Sequence, residues 1–236
     1  MDLKGCDEED RMNFVKKVYV ILFVSLAITA GFTAIGITSR DMASWMQDDA
    51  NIWLYIVLLI VMIIVEIVMI CVRSVARSVP INYIMLLIFV LCESYFVCWL
   101  CQYYTYDPRK DDFADDGYRT VGAAGAMTLA IVAAATTYAW TTKTDFTMKA
   151  GFIWIFGMTF FMLSIFSIFF YSYFFQMFMC ALGTLLFGIY LIFDTQLILG
   201  QGRYSLSIDD YILGALVLYI DIIMIFIYIL QLCGGR

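Results

Sequence analysis

The sequence predicts an all-α membrane protein, a bundle of seven transmembrane helices, and two observations support this fold class. Hydrophobic residues make up 64% of the 236 residues and charged residues only 14%, which is too apolar for a soluble globule of this length. The apolar residues also fall into seven segments, each near the roughly 20 residues that cross the hydrocarbon core of a bilayer. We therefore expect a short cytosolic tail, residues 1–16, and one membrane domain over residues 17–236.

Short polar connections separate the predicted spans, so we expect sequential neighbours to form antiparallel hairpins. The spans are residues 17–37, 52–72, 81–101, 120–140, 150–171, 176–197 and 210–232. We favour seven full crossings. The last segment has an alternative geometry, because a re-entrant helix would return the C-terminus to the cytosolic side.

Local signals justify individual spans. Lys16 and Lys17 precede the first span, which lacks a small-residue cleavage site and is therefore expected to remain as an uncleaved anchor. Pro80 suits the first turn of the third span. The fourth span, from Gly122 to Ala135, is rich in small residues and is expected to pack centrally, because such residues let helices approach closely in lipid. Phenylalanine and tyrosine crowd the fifth span, which we expect to face lipid.

Basic residues predict that the N-terminus lies in the cytosol. With that orientation, nine basic residues fall on the cytosolic side and four on the opposite side. The cytosolic set is Lys4, Arg11, Lys16, Lys17, Arg73, Arg77, Lys143, Lys149 and Arg203, and the opposite set is Arg40, Arg109, Lys110 and Arg119. No basic face indicates a nucleic-acid partner, whereas the lipid bilayer is an expected one.

Four acidic residues within the apolar segments are the strongest functional signal. They are Asp194 and Asp221 in the last two spans, and Glu66 and Glu93 in the second and third. A carboxylate at the centre of a spanning helix costs roughly 2.5–3.5 kcal/mol, so such a residue usually faces the bundle interior, a partner or water. The chain contains no histidine, so any proton-linked behaviour is expected to depend on these carboxyl groups.

Glu66 and Glu93 are expected at one depth in the membrane. Glu66 lies 11 residues before Arg77 and Glu93 lies 13 residues after Pro80, on either side of the same turn. At about 1.5 Å per helical residue these distances are nearly equal. The two acids are therefore predicted to line one polar layer and shape an ion path. The alternative is that each is protonated or hydrogen-bonded and inert.

Asp194 and Asp221 are expected at depths that differ by roughly 10 Å, if their helices are straight and enter the membrane at one level. Contact between them requires that the seventh helix begins in the aqueous layer, around Ser207 to Tyr211, or that it is re-entrant. In contact, the two carboxyl groups would titrate as a unit. Arg77 or Arg73 is available near the cytosolic face as a counter-charge.

Several sequence blocks resemble one family of membrane proteins. They are Phe14-Val15-Lys16-Lys17-Val18-Tyr19, Arg77-x-x-Pro80-x-Asn82 ahead of Glu93-Ser94, Thr142-Lys143-Thr144-Asp145-Phe146-Thr147, Phe193-Asp194-Thr195-Gln196-Leu197-Ile198-x-Gly200, and Leu218-Tyr219-x-Asp221-Ile222-Ile223. In these blocks, which occur in order over nearly the whole chain, the protein resembles the transmembrane BAX inhibitor motif family, and within it the Lifeguard branch.

This resemblance implies a function. It implies a pH-sensitive calcium leak channel of the endoplasmic reticulum or Golgi, with the plasma membrane as a further location, that lowers stored calcium and inhibits apoptosis. It also implies that Asp194 and Asp221 form the proton-sensing pair, with Arg77 as the arginine partner. Calcium is the permeant ion, no cofactor is expected, and apoptosis regulators or calcium channels in the same membrane are expected partners. We also expect the two aspartates to bind calcium weakly, because hard cations prefer carboxylate oxygens.

Other functions compete with the channel. A non-conducting regulator that binds death-pathway proteins or channels in the membrane is the main alternative. An intramembrane aspartyl protease also carries two aspartates on consecutive helices, but the segment Leu218-Tyr219-Ile220-Asp221 lacks the glycines that such an enzyme needs. We therefore do not expect an enzyme. A G-protein-coupled receptor conflicts with the cytosolic N-terminus and with the absence of glycosylation sequons.

The predicted orientation can be tested with two introduced cysteines. Ser78→Cys, in the turn between the second and third spans, should react only with a reagent on the cytosolic side, whereas Asp112→Cys should react only from the opposite side. Labelling of both variants with membrane-impermeant reagents in sealed vesicles provides the measurement. Reaction of Ser78→Cys from the non-cytosolic side would overturn the orientation.

Overall fold

The structure is a computed structural model that describes residues 3, 7–108, 112–169, 172–200 and 205–235. These residues form nine α-helices and one short antiparallel hairpin. The helices are α1 (Glu8–Gly36), α2 (Arg40–Gln47), α3 (Ile52–Cys71), α4 (Arg73–Arg77), α5 (Ile81–Thr105), α6 (Asp115–Thr141), α7 (Ala150–Phe169), α8 (Tyr173–Leu199) and α9 (Tyr211–Gly234), and the strands are β1 (Tyr106–Asp107) and β2 (Asp112–Phe113). Four residues used to predict the orientation, Lys4, Arg109, Lys110 and Arg203, lie outside the described residues.

Within the described ranges, seven helices are long and apolar enough to cross a membrane, by their length and composition. They are α1, α3 and α5 to α9, in the places that the sequence predicts, so the fold class of an all-α seven-helix membrane protein is confirmed. α1 begins at Glu8 rather than near residue 17, and therefore includes part of the predicted tail. Glu8, Glu9 and Asp10 lie in its first turn, where negative charge interacts favourably with the helix dipole.

The chain divides into two compact units. The first unit comprises Lys16–Val121 and Asp209–Leu216, and the second comprises Met1–Val15, Gly122–Ile208 and Val217–Arg236. In the first unit, α2 and α3 both pack against α5. Gln102 of α5 donates from Nε2 to the carbonyl oxygen of Gly36 at 3.0 Å, which holds the end of α1 against α5.

The second unit contains a close approach of α8 and α9. An atom at the Cβ position of Gly183 in α8 would lie 2.7 Å from the ring of Tyr228 in α9, which is too short for a real contact. Phe160, Met179 and Leu186 form the core beside this ring, where α7 packs on α8. Glycine at position 183 is therefore needed because the aromatic ring occupies the space of a side chain.

One expectation about packing is wrong. The small residues of α6 predicted a central helix. However, only 17% of the most apolar stretch of α6 is buried, and open space lies beside Gly122 and Gly125. Ala124, Thr128 and Ala139 form a narrow buried stripe on one face of the helix. Small residues permit close approach without requiring it, so their number did not predict how many faces of α6 are covered. α7 is also largely exposed, and for this helix the aromatic content predicted exposure correctly.

Two glycines of α8 provide a test of this packing. Gly183→Ala should lower the free energy of unfolding by about 1–3 kcal/mol, because the new methyl group overlaps the Tyr228 ring and must displace it. Gly188→Ala is the matched control, since nothing lies within 4 Å of its Cβ position. The measurement is chemical or thermal unfolding of both variants in detergent. Equal effects of the two substitutions would contradict the close approach of α8 and α9.

Candidate functional site

The carboxyl groups of Asp194 and Asp221 form a side-chain hydrogen bond within the second unit. Asp194 lies five residues before the end of α8, and Asp221 is the eleventh residue of α9. The structure thus brings together the two aspartates that the sequence singled out. A hydrogen bond between two carboxyl groups needs a proton on one of them, so this contact can form only while at least one of the two groups is protonated.

α9 begins in the interval that the sequence analysis expected for contact between the two aspartates. A 3-10 turn, Ile208–Asp210, precedes the first residue of α9, Tyr211. This start lies within the expected interval from Ser207 to Tyr211. α9 then runs as one helix of 24 residues, which is long enough for a full crossing.

The surroundings of the pair are mostly apolar. Asp221 is only 4% exposed, and its Oδ2 atom has no hydrogen-bond partner among the residues that the structure describes. Tyr190, one turn before Asp194 on α8, interacts electrostatically with both carboxyl groups. Its hydroxyl donates to the carbonyl oxygen of Ile153 at 3.5 Å. In these surroundings a change in the number of protons or cations at the pair has a large electrostatic effect, because little water is present to screen it.

The connection between α6 and α7 is attached to α8 next to the pair. Gln196 donates from Nε2 to the carbonyl oxygen of Thr144 at 2.9 Å, and its Oε1 accepts from the Phe146 backbone N–H at 2.8 Å. Asp145 accepts from the backbone N–H and the hydroxyl of Thr147, at 2.9 and 2.6 Å, which closes the turn. These contacts join two of the sequence blocks noted above and fix the backbone that carries Asp194.

Arg77 forms a two-pronged ion pair with Asp210 in the first unit. Its Nε donates to Oδ1 at 2.6 Å and its Nη2 to Oδ2 at 2.8 Å. The hydrogen bonds that Arg77 donates to the Asp210 carboxylate raise the pKa of its guanidinium, which therefore stays charged. The sequence analysis named Arg77 as the counter-charge of Asp194 and Asp221. That role stays a prediction, and the observed partner is Asp210.

Asp210 is the site residue that the sequence analysis missed. The available signal was the acidic pair Asp209-Asp210 directly before the last span. The ammonium group of Lys17 lies over the ring of Tyr211, the next residue, at 5.6 Å from the ring centroid. The centroids of the Tyr211 and Tyr83 rings are 6.2 Å apart. Residues of α1, α4 and α5 thus hold the start of α9.

Glu66 and Glu93 both lie in the first unit. Glu93 is 9% exposed and Glu66 is half-buried, and the two acids interact electrostatically. Beside them, the hydroxyl groups of Ser94 and Thr29 are hydrogen-bonded at 3.0 Å. Their equal depth in the membrane and their part in an ion path stay predictions.

The described residues contain no group of three or more histidine, cysteine or acidic side chains placed to hold a metal ion. A calcium site at Asp194 and Asp221 would therefore have only two carboxyl groups, and the remaining oxygen ligands would come from water or backbone. Such a site would bind weakly. The expected weak calcium binding thus stays a prediction.

Fold and site define a multi-pass helical membrane protein with two interacting aspartates inside its spans. A comparison with protein families finds a match over residues 11–236 to the family described as Inhibitor of apoptosis-promoting Bax1. The chain belongs to this Bax inhibitor and Lifeguard family of anti-apoptotic membrane proteins, and the resemblance noted in its sequence blocks is confirmed.

Three relatives show the extent of the similarity. The chain is 31% identical to Protein lifeguard 3 of Mus musculus over 234 residues, which covers 98% of this chain and 71% of the relative. The values are the same for Protein lifeguard 3 of Homo sapiens. It is 28% identical to Bax inhibitor 1 of Schizosaccharomyces pombe over 232 residues, or 97% of this chain and 79% of the relative.

The Arg77–Asp210 pair provides a prediction for this region. In a double-mutant cycle of Arg77→Gln and Asp210→Asn, the two changes should be non-additive by about 1 kcal/mol in unfolding free energy, because the pair is partly screened by solvent. Unfolding in detergent is the measurement, and Arg73→Gln on the same short helix is the control. Additive effects of the two substitutions would mean that the ion pair does not stabilise the start of α9.

Proposed function

We propose that this protein is a pH-sensitive calcium leak channel of an intracellular membrane, which lowers stored calcium and thereby inhibits apoptosis. The observation that carries the proposal is the hydrogen-bonded pair of Asp194 and Asp221 within membrane-spanning helices. A buried carboxyl pair is costly to keep in the membrane, and such residues commonly mark ion pathways or proton relays. We place the protein in the endoplasmic reticulum or Golgi and assign it no enzymatic activity.

The pair supplies the pH response because its charge changes with each proton. With one proton it carries a single negative charge, with two it is neutral, and with none it carries two negative charges. The two carboxyl groups share one hydrogen bond, so they titrate as a unit. Cations and protons compete for the same oxygens, and calcium therefore binds weakly where a proton has left. Loss or gain of charge at Asp221 shifts the equilibrium between conformations that differ in pore access.

Arg77, Glu66 and Glu93 act away from the pair in this proposal. Arg77 contributes to gating by holding the start of α9 through Asp210. Glu66 and Glu93 shape the ion path of the first unit, where two acids and two hydroxyl groups provide oxygen ligands for a hard cation.

The alternative is a non-conducting regulator that binds apoptosis regulators or calcium channels in the same membrane. Membership of an anti-apoptotic family supports both functions equally. The buried aspartate pair favours the channel, because a protein that acts only by binding partners at its surface has no need for a proton-bearing group inside its spans.

Calcium flux through purified protein in liposomes tests the proposal. Wild-type protein should conduct calcium with a rate that changes between about pH 6 and pH 8. Asp194→Asn and Asp221→Asn should each flatten this pH profile, and the double variant should differ little from either single variant, because the pair acts as one unit.

Asp209→Asn is the matched control for this experiment. Asp209 is an exposed acid on the connection before α9, so its loss should leave the pH profile unchanged. Absence of flux from folded wild-type protein would favour the non-conducting regulator. Wild-type pH profiles in both single variants would place the proton sensor elsewhere.

A further inference from the structure

A cavity of about 240 Å³, whose wall combines polar side chains with Phe160, Phe175 and Met179, lies between the ends of α7, α8 and α9 in the second unit. Its polar lining is uncharged and includes Ser164 and Ser167 of α7, Gln176 of α8 and Gln231 of α9. Ser167 lies two residues before the end of α7, Gln176 is the fourth residue of α8, and Gln231 lies three residues before the end of α9. The polar side chains are thus at the helix ends, at the side of the membrane where α7 connects to α8.

The chemistry of this cavity suits water. The Oε1 atom of Gln176 is buried and has no hydrogen-bond partner among the described residues. The Cys180 thiol donates to Oε1 of Gln231 over 3.6 Å, a long and weak contact. Polar groups around a space large enough for roughly eight water molecules, at about 30 Å³ each, are a favourable environment for water.

Side chains on one face of α8 lead from this cavity to the aspartate pair. They follow each other at spacings of three and four residues, which places them on the same side of a helix. In order they are Gln176, Cys180, Gly183, Phe187, Tyr190 and Asp194. A matching series on α9 is Gln231, Tyr228, Met224 and Asp221. Both helices therefore carry a glutamine at one end of this face and an aspartate at the other, with two aromatic residues between them on α8 and one, Tyr228, on α9.

Tyr228 occupies the middle of this face. Its ring meets the edge of Phe160 at a centroid distance of 5.8 Å and lies 5.9 Å from the ring of Phe187. Gly183 provides the space for it on α8. Tyr228 borders the polar cavity and also a second cavity of about 420 Å³, which is lined by Met224 and Tyr190 and lies toward the aspartates. The phenol ring, together with Phe160 and Ser164 of α7, is thus part of the wall that the two cavities share.

We propose that the polar cavity is a hydrated vestibule for cations and that the Tyr228 ring is the barrier between this vestibule and the Asp194–Asp221 pair. Hydroxyl and amide oxygens can replace part of the water around a cation, and without a fixed charge they do not trap it. The aromatic collar of Phe160, Phe187 and Tyr228 excludes water, so ions pass only when the ring moves. The role in calcium conduction rests on the proposed function, whereas hydration of the vestibule and its closure by Tyr228 do not.

Thiol labelling in liposomes tests the vestibule without any substitution. Cys180 in the vestibule and Cys98 in the core of the first unit are almost equally inaccessible by area, at 2% and 0% exposure. A small cationic methanethiosulfonate reagent should nevertheless modify Cys180 about tenfold faster than Cys98, because water and cations reach the vestibule. Site-specific mass spectrometry gives both rates. Equal protection of the two thiols, or modification of Cys180 in detergent but not in a bilayer, would show that the space is dry or filled by lipid and would overturn the proposal.

A second variant tests the barrier. Met224→Cys, on the aspartate side of Tyr228, should be protected from the same reagent added on the vestibule side, and should become reactive about tenfold faster in the background of Tyr228→Ala. Tyr228→Phe keeps the ring and should keep the protection. Phe178→Ala is the control, because Phe178 is an exposed aromatic residue of α8. Reaction of Met224→Cys with Tyr228 in place would refute the barrier.

Flux measurements on the same proteins separate the two proposals. If the vestibule is part of a calcium path, Tyr228→Ala should raise calcium flux in liposomes. The labelling pattern decides whether the vestibule and its barrier exist, and it does so whether or not the protein conducts. Absence of flux in every variant, with the labelling pattern as expected, would refute the channel and leave the hydrated vestibule established.

Discussion

The hydrogen bond between Asp194 and Asp221 is the interaction on which the rest of the site depends. Two carboxyl groups inside an apolar environment are tolerated only if at least one is neutralised, and a proton shared between them achieves this. The bond also joins α8 to α9 through titratable atoms. The packing of these helices is therefore tied to the number of protons present, which an apolar contact would not provide.

Neutral hydrogen bonds surround the titratable pair. Gln196 holds the connection after α6 through its side-chain amide, which does not ionise in the physiological range. The tight fit of Tyr228 over Gly183 is purely steric. The contacts that attach the connection before α7 to α8 therefore contain no group that titrates in the physiological range.

Much of this arrangement was readable from the sequence. Hydropathy alone located the seven spans, because about 20 consecutive apolar residues have few alternatives to a transmembrane helix. It also identified Asp194 and Asp221, because charge is rare in such segments. Asp210 was missed because it lies at the boundary of a span, where an acid needs no special explanation. The exposure of α6 could not be predicted from the sequence either. Small residues allow a neighbouring helix to come close, but they do not show whether a neighbour is present.

The ion pair of Arg77 and Asp210 has a mechanical consequence for α9. Asp210 precedes the helix directly and Asp221 lies about three turns further along it, a distance of about 16 Å. An arginine fork keeps its charge and its geometry over the whole physiological pH range, so the first turn of α9 is a fixed point. A helix that is fixed at one end and pulled or released in its middle can pivot, but it cannot slide along its axis. The ends of α9 are thus held differently: its start by a charged pair, and its far end, where Tyr228 and Gln231 lie, by packing and weak polar contacts.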